Sequence, residues 1–331
     1  MSIINVPMRP TALKAVAIAL LSALFFACTY VFNRAIVSGG GHWQWAVILR
    51  YLITLPLLAA VLPFQGGLGK LPYELRTYPR TWWLWSSVGF VLFSIPLTWA
   101  ATSGPSWLVA GSFQTTVLAG PLLAPFIYRD ERARWQVGAL AIGALIVGGV
   151  MLLQVGHANG SLDAAAWLAV AAVMFSAFAY PLGNRMILLH LERSGTRLGA
   201  VQRVFGMTLA SWPLWLLLAV VTWATVGPPT GREVLLAGGV ALSSGVIATV
   251  LFFHATESVG RNPTALAAVE AMQAAELLFA TGIGVAFLGE PFPDALAAFG
   301  AVAIVLGIVL FAWVSGRESA IDPASASDRG A

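Results

Sequence analysis

Asn33-Arg34-Ala35-Ile36 closes the first apolar stretch of this chain, and Asn184-Arg185-Met186-Ile187 closes the sixth. The two copies stand five apolar stretches apart. Five is odd. If each stretch crosses a membrane once, the copies cross in opposite directions. An inverted internal repeat of this size is the pattern of secondary transporters, whose site lies between two halves near the bilayer midplane.

Composition says which solvent the chain meets. Of its 331 residues, 59% are hydrophobic and only 10% are charged, against about 25% charged in an ordinary soluble domain. Much of any folded exterior must face its solvent, so lipid fits and water does not. A helix needs roughly 20 apolar residues to cross a hydrocarbon core of about 30 Å. Ten such spans are predicted, at about 14–37, 43–63, 82–101, 106–127, 135–155, 163–188, 199–225, 233–256, 264–288 and 294–314. The expected fold class is therefore an all-α integral membrane protein. It would comprise two inverted five-helix repeats, 1–158 and 159–316, and a disordered tail over 317–331. The spans are too long for a membrane barrel and lack its alternation.

Charge sets the expected orientation. With the N-terminus in the cytoplasm, the inner side holds Arg9, Lys14, Lys70, Arg76, Arg80, Arg129, Arg132, Arg134, Arg193, Arg197, Arg261, Arg317 and Arg329, and the outer side only Arg232. That bias satisfies the positive-inside rule and places both termini in the cytoplasm. It also accounts for the net charge of +4 without nucleic acid as a partner; membrane lipids are the expected surroundings. Tryptophans such as Trp43, Trp45, Trp82, Trp83 and Trp85 read as interfacial anchors. The single cysteine, Cys28, excludes an intramolecular disulfide and reads as a packing residue. No cleavable signal peptide is expected, because the first apolar stretch is too long and polar residues interrupt its end.

The repeat extends along the chain. Arg50 aligns with Arg203, Gln114 with Gln273, Asp130-Glu131 with Gly289-Glu290, and Ala144-xxx-Gly148 with Ala303-xxx-Gly307. Small residues one turn apart let backbones approach in lipid. The fifth and tenth helices should pack closely, within one chain or between two copies of a homodimer.

Several strings carry a family resemblance: Trp107-Leu108-Val109-Ala110-Gly111, Phe178-Ala179-Tyr180-Pro181-Leu182-Gly183-Asn184-Arg185, Gln202-Arg203-Val204-Phe205-Gly206-Met207, Ser244-Gly245-Val246-Ile247-Ala248-Thr249 and Ala267-Ala268-Val269-Glu270-Ala271-Met272-Gln273. With ten spans and an acid after the fourth and ninth, the chain resembles the drug/metabolite transporter superfamily, EamA type, in its multidrug resistance efflux branch. The resemblance covers roughly residues 14–315. It implies export of small organic solutes (drug/metabolite efflux). One departure is plain: the related small multidrug resistance proteins carry a Glu in mid first helix, whereas this chain reads Phe26-Ala27-Cys28-Thr29-Tyr30.

Charges inside a bilayer are costly and need a reason. Arg34, Arg50, Arg185, Arg203, Glu270 and Glu276 stand out, with His254 and Glu257 nearer an interface. Each arginine could snorkel or bind helix carbonyls; equally, it could line a gate or bind carboxylate or phosphate with its planar fork. Each glutamate could neutralise a buried arginine or carry a coupling proton, with substrate competing for it. Tyr30, Gln114, Tyr180 and Gln273 are further candidates for lining a pocket or for ordinary packing. No phosphate loop, zinc-ligand spacing or catalytic grouping is seen, so no catalytic residue, metal or cofactor is expected. Proton antiport is the expected energy source. The alternatives are an exporter of amino acids or other carboxylated metabolites, and an uncoupled facilitator or channel.

Overall fold

The computed structural model describes residues 10–103, 106–135, 137–157, 164–259, 262–288 and 295–321. The described residues are helical or in turns, with no strand among them. Helices satisfy every interior backbone N–H and C=O locally, which lipid demands. Six helical stretches are long and apolar enough to cross a membrane: Trp43–Gln65, Pro79–Ala100, Trp167–Ser194, Ala200–Val226, Gly231–Val259 and Ala265–Ile283. Shorter apolar helical runs cover Leu13–Thr29, Val137–Leu152 and Ala298–Val314.

In chain order the helices are α1 (Pro10–Ser38), α2 (Trp43–Val61), α3 (Leu71–Thr77), α4 (Pro79–Ser86), α5 (Phe93–Ser103), α6 (Ser106–Phe113), α7 (Thr116–Ile127), α8 (Val137–His157), α9 (Ala164–Ser194), α10 (Ala200–Val226), α11 (Gly231–Val240), α12 (Thr249–Val259), α13 (Pro263–Ala271), α14 (Ala275–Leu288) and α15 (Ala295–Ile321). Two spans contain a π-helical turn. Ser87–Leu92 joins α4 to α5, and Ala241–Ala248 joins α11 to α12. Two others break in the middle. The fourth apolar segment, expected as one helix, is interrupted at Gln114 and Thr115; the ninth passes through a tight 3-10 turn at Met272–Ala274. Pro56, Pro96, Pro121, Pro125, Pro181 and Pro213 all lie inside helices.

Packing crosses between the halves. Helix α1 lies against α11, α12, α13 and α14, whereas α9 lies against α4, α5, α6 and α7. Helices α2 and α10 pack together, as do α8 and α15. Glycines set the closest crossings. A Cβ on Gly183 would sit 2.6 Å from the Gly89 nitrogen and 2.7 Å from the Trp85 carbonyl, so α9 meets the first π turn backbone to backbone. At the α8–α15 contact, a Cβ on Gly149 would be 2.8 Å from the Ala303 Cβ, and one on Gly307 would strike Ile146. Gly148, the residue picked from the small-xxx-small pattern, has no neighbour within 4 Å of such a Cβ. One residue is about 100° of helix turn, which puts Gly149 on the contact face instead.

The two ends differ. At one, Trp45 Nε1 donates to the Gly227 carbonyl (3.0 Å), and Glu233 accepts from the His42 and Thr230 amides (2.7 Å each). Glu233 thus completes a capping box with Thr230 and ties two loops together. At the other end Gln202 Nε2 donates to the Gly67 carbonyl (2.9 Å). There Arg132 lies 2.8 Å from Glu192 and stacks over Tyr128. Its hydrogen bonds hold the Asp130 carboxyl below the usual carboxylate range. Large apolar side chains stay exposed on α10 (Leu217, Val220, Trp223) and α15 (Phe299, Val302, Val309). Such faces are a liability in water and a requirement in lipid. Helix α15 continues past Arg317 to Ile321, so the expected unstructured tail does not begin at Arg317. Gly289, Glu290, Arg261, Arg9, Arg329 and the 158–159 boundary lie outside the described residues.

Candidate functional site

The buried arginines find different partners. Arg185 on α9 and Glu270 on α13 form a two-pronged ion pair: Nε donates to Oε1 at 3.0 Å and Nη2 to Oε2 at 2.6 Å. Both side chains are sealed from the surface, at 1% and 3% exposure. Gly120 on α7 makes the room, because a Cβ there would collide with Glu270 Oε2 and Arg185 Nη2. Three spans therefore meet at one pair. Beside it on α9, Asn184 is 1% exposed, and neither amide atom has a hydrogen-bond partner among the described residues.

Arg203, in the first turn of α10, is equally buried but less completely matched. Nη2 donates to the Phe253 carbonyl, and the guanidinium lies 4.8 Å from the Phe253 ring centroid. Its nearest carboxylate, Glu257, is 3.9 Å away and 40% exposed. Glu257 and His254 are three residues apart on α12 and line an open cleft of about 660 Å³ with Gln65, Gln202 and Val250.

Arg50 on α2 lines the central cavity. Nη2 donates to Ser244 Oγ in the second π turn at 2.7 Å. Tyr51, Phe90, Phe93 and Tyr180 form aromatic walls, with Gly245 and Thr249 opposite. The walls are packed on one another: Tyr180 lies 4.8 Å from Phe93 and 5.5 Å from Phe252, ring centre to centre, and Tyr51 stacks on Trp215 at 4.4 Å. Gly245 has no Cβ, which leaves room for Thr54. The cavity holds only about 10 Å³, the lower limit for a single water molecule. The Tyr180 hydroxyl and Arg50 Nε are buried without a hydrogen-bond partner among the described residues.

The sequence-derived candidates thus fall into groups. Arg50 and Tyr180 share the cavity, and Arg185 and Glu270 share the ion pair. Glu276 is buried on α14, while Gln114 and Gln273 are buried at the two helix breaks. The Tyr30 and Arg34 side chains lie outside the described residues. Ser244, Asn184 and Gly120 were not singled out. Asn184 had a signal in the recurrence of Asn33, and Ser244 in opening one of the family-like strings; Gly120 had none. Also missed was Glu74 on α3, fully buried, with Oε2 2.9 Å from His190 Nε2 and Tyr78 edge-on to the imidazole. Burial raises the Glu74 carboxyl, but Thr196 and His190 outweigh it and hold it below the usual range.

Residues 13–317 match the family model described as "EmrE: Putative multidrug resistance efflux transporter". The chain belongs to this family. Similar proteins include "Uncharacterized protein YjlA" of Bacillus subtilis (strain 168), 42% identical over 92% of this chain and 95% of that one. A second, from Shouchella clausii, is the "Uncharacterized 42.1 kDa protein in intracellular alkaline protease 3'region", 37% identical over 83% of this chain and 73% of its own length. A solved structure described only as "Crystal structure of protein" superposes with a TM-score of 0.68 at 15% identity, covering 92% of this chain and 98% of that one. That likeness speaks to fold alone. Family membership agrees with multiple apolar helices packed around a polar, ionisable interior.

Proposed function

We propose that the chain exports small organic solutes across a bacterial-type inner membrane by alternating access, driven by a proton gradient. The observation that carries this reading is the crossed packing. Helix α1 is held by the spans around α11–α14, and α9 by those around α4–α7. The π turns at Ser87–Leu92 and Ala241–Ala248 and the breaks at Gln114 and Gln273 recur at corresponding places in the two halves. All of this supports two inverted five-helix repeats, 1–158 and 159–316, and the EamA-type, ten-helix reading. Rocking one repeat on the other would open the closed central cavity to each side in turn. The end bearing Lys70, Arg76, Arg132 and Arg193 would face the cytoplasm, with both termini.

Glu276 is the proposed proton carrier. It is buried in mid-span. Both oxygens of Glu270 are engaged by Arg185, so protonating it would break a two-pronged pair. The test is solute-evoked current in proteoliposomes with and without a pH gradient. Wild type should give gradient-driven flux, and Glu276→Gln should lose it while retaining solute exchange. Flux indifferent to the gradient in wild type would instead establish an uncoupled facilitator.

A further inference from the structure

We infer that the central cavity is a carboxylate site, in which Arg50 and Tyr180 bind the acid group of a small organic anion, and not a site for a cationic drug. The inference rests on the transport reading above: the cavity as closed here holds only about 10 Å³, so a solute enters it in a form opened by that rocking motion, and the structure supplies the chemistry of the lining. Arg50 is the only charged residue among the described residues lining the cavity, and no carboxylate lines it. An ammonium entering there would meet a like charge and no counter-ion. A carboxylate would meet a guanidinium whose planar fork suits it.

The hydrogen-bond inventory points the same way. Arg50 Nη2 is anchored on Ser244, which orients the fork, while Arg50 Nε and the Tyr180 hydroxyl remain buried donors with no partner among the described residues. Unsatisfied buried donors are costly, and an acceptor-bearing ligand relieves them. The protons of Thr54, Thr208 and Thr249 are already given to backbone carbonyls at 2.6–2.8 Å, so they do not compete for the ligand's oxygens. Phe90, Phe93 and Tyr51 offer an apolar wall to the rest of the molecule. A compact acid with an aromatic or branched apolar body matches that combination. A carboxylate bound beside Arg50 also avoids leaving a lone charge in mid-membrane.

Three probes of one shape separate charge from size: phenylacetate, phenylacetamide and phenethylammonium. Binding to the purified full chain would be followed by tryptophan fluorescence, and movement by uptake into proteoliposomes. Phenylacetate should bind at least about tenfold more tightly than the amide, as charge-assisted hydrogen bonds do, and phenethylammonium should bind worst. Arg50→Gln should abolish the preference and Arg50→Lys should restore part of it. Tyr180→Phe, which removes one hydroxyl and little volume, should weaken phenylacetate severalfold and leave the amide nearly unchanged. If Arg50→Gln fails to fold, the Lys and Phe variants still decide the question. Tighter binding of phenethylammonium, or equal binding of all three probes, overturns the inference. Proton-driven movement of cations without phenylacetate binding would sink the carboxylate site and leave the transporter standing. Phenylacetate binding that depends on Arg50, without flux of any solute, would do the reverse.

Discussion

Arg185 and Arg50 are both guanidiniums set in apolar helices, and they are satisfied in opposite ways. Arg185 meets a carboxylate on both prongs, in a place made by a missing side chain at Gly120. Arg50 lines a small cavity, with one bond to a serine hydroxyl and an Nε buried without a partner among the described residues. The first arrangement is charge-neutral and holds three spans together, although Arg185 Nη1 is buried with no hydrogen-bond partner among the described residues. The second is incomplete and therefore has something to offer a ligand. The difference teaches that a buried charge in this fold is not by itself a mark of the transport site; what separates the two is a carboxylate counter-ion, present at Arg185 and not found for Arg50 among the described residues.

The severest way to break the contrast is Glu270→Gln. It leaves Arg185 charged and buried without a counter-ion, which typically costs about 3–5 kcal/mol, read as a large drop in the unfolding midpoint in detergent. The double variant Arg185→Met, Glu270→Met should recover most of that loss, since apolar replacements of a buried pair are often near neutral. Failure of the double variant to recover would show that the pair does more than hold helices. Gly120→Ala acts on the same pair from the third span. Its added methyl would overlap both partners, with an expected loss of about 1–3 kcal/mol in the same assay.

Glu74 provides a control away from the membrane interior. Its folded-state affinity for protons is lowered, so its contribution to stability is present above the ordinary carboxylate range and is lost as pH falls through its folded value. Glu74→Gln should cost about 1–3 kcal/mol near neutral pH and flatten the acid side of the stability profile. An unchanged profile would remove the Glu74–His190 contact from the account. The smallest effect belongs to Glu257→Gln. Its pair with Arg203 spans 3.9 Å with Glu257 well exposed, so a change within about 1 kcal/mol is expected. A loss as large as that of Glu270→Gln would erase the distinction between a locked arginine and a loosely held one.

Much of the site was legible as inventory. The four arginines and two glutamates drew notice because charge is expensive in lipid, and all those with described side chains are wholly or partly buried. Their partners were not legible. Glu270 was weighed as an arginine's counter-ion, but no spacing rule connects residue 185 to residue 270. Periodicity gave little help. Helices that are apolar on every side carry no polar stripe to mark their inward face, which is also how Gly148 was chosen over Gly149.

The amino-acid sequence by itself determined the solvent, the helical class and the order in which motifs recur. Each of these follows from local composition and length, because lipid leaves the backbone one economical way to hydrogen-bond within a segment. Tertiary structure alone decided that Arg185 is neutralised and Arg50 is not, that Gly120 admits the ion pair, and that Ser244 in a π turn aims the guanidinium at the cavity. Those outcomes depend on the rotation and depth of helices distant in the chain. A few ångströms there separate a closed salt bridge from an open binding group.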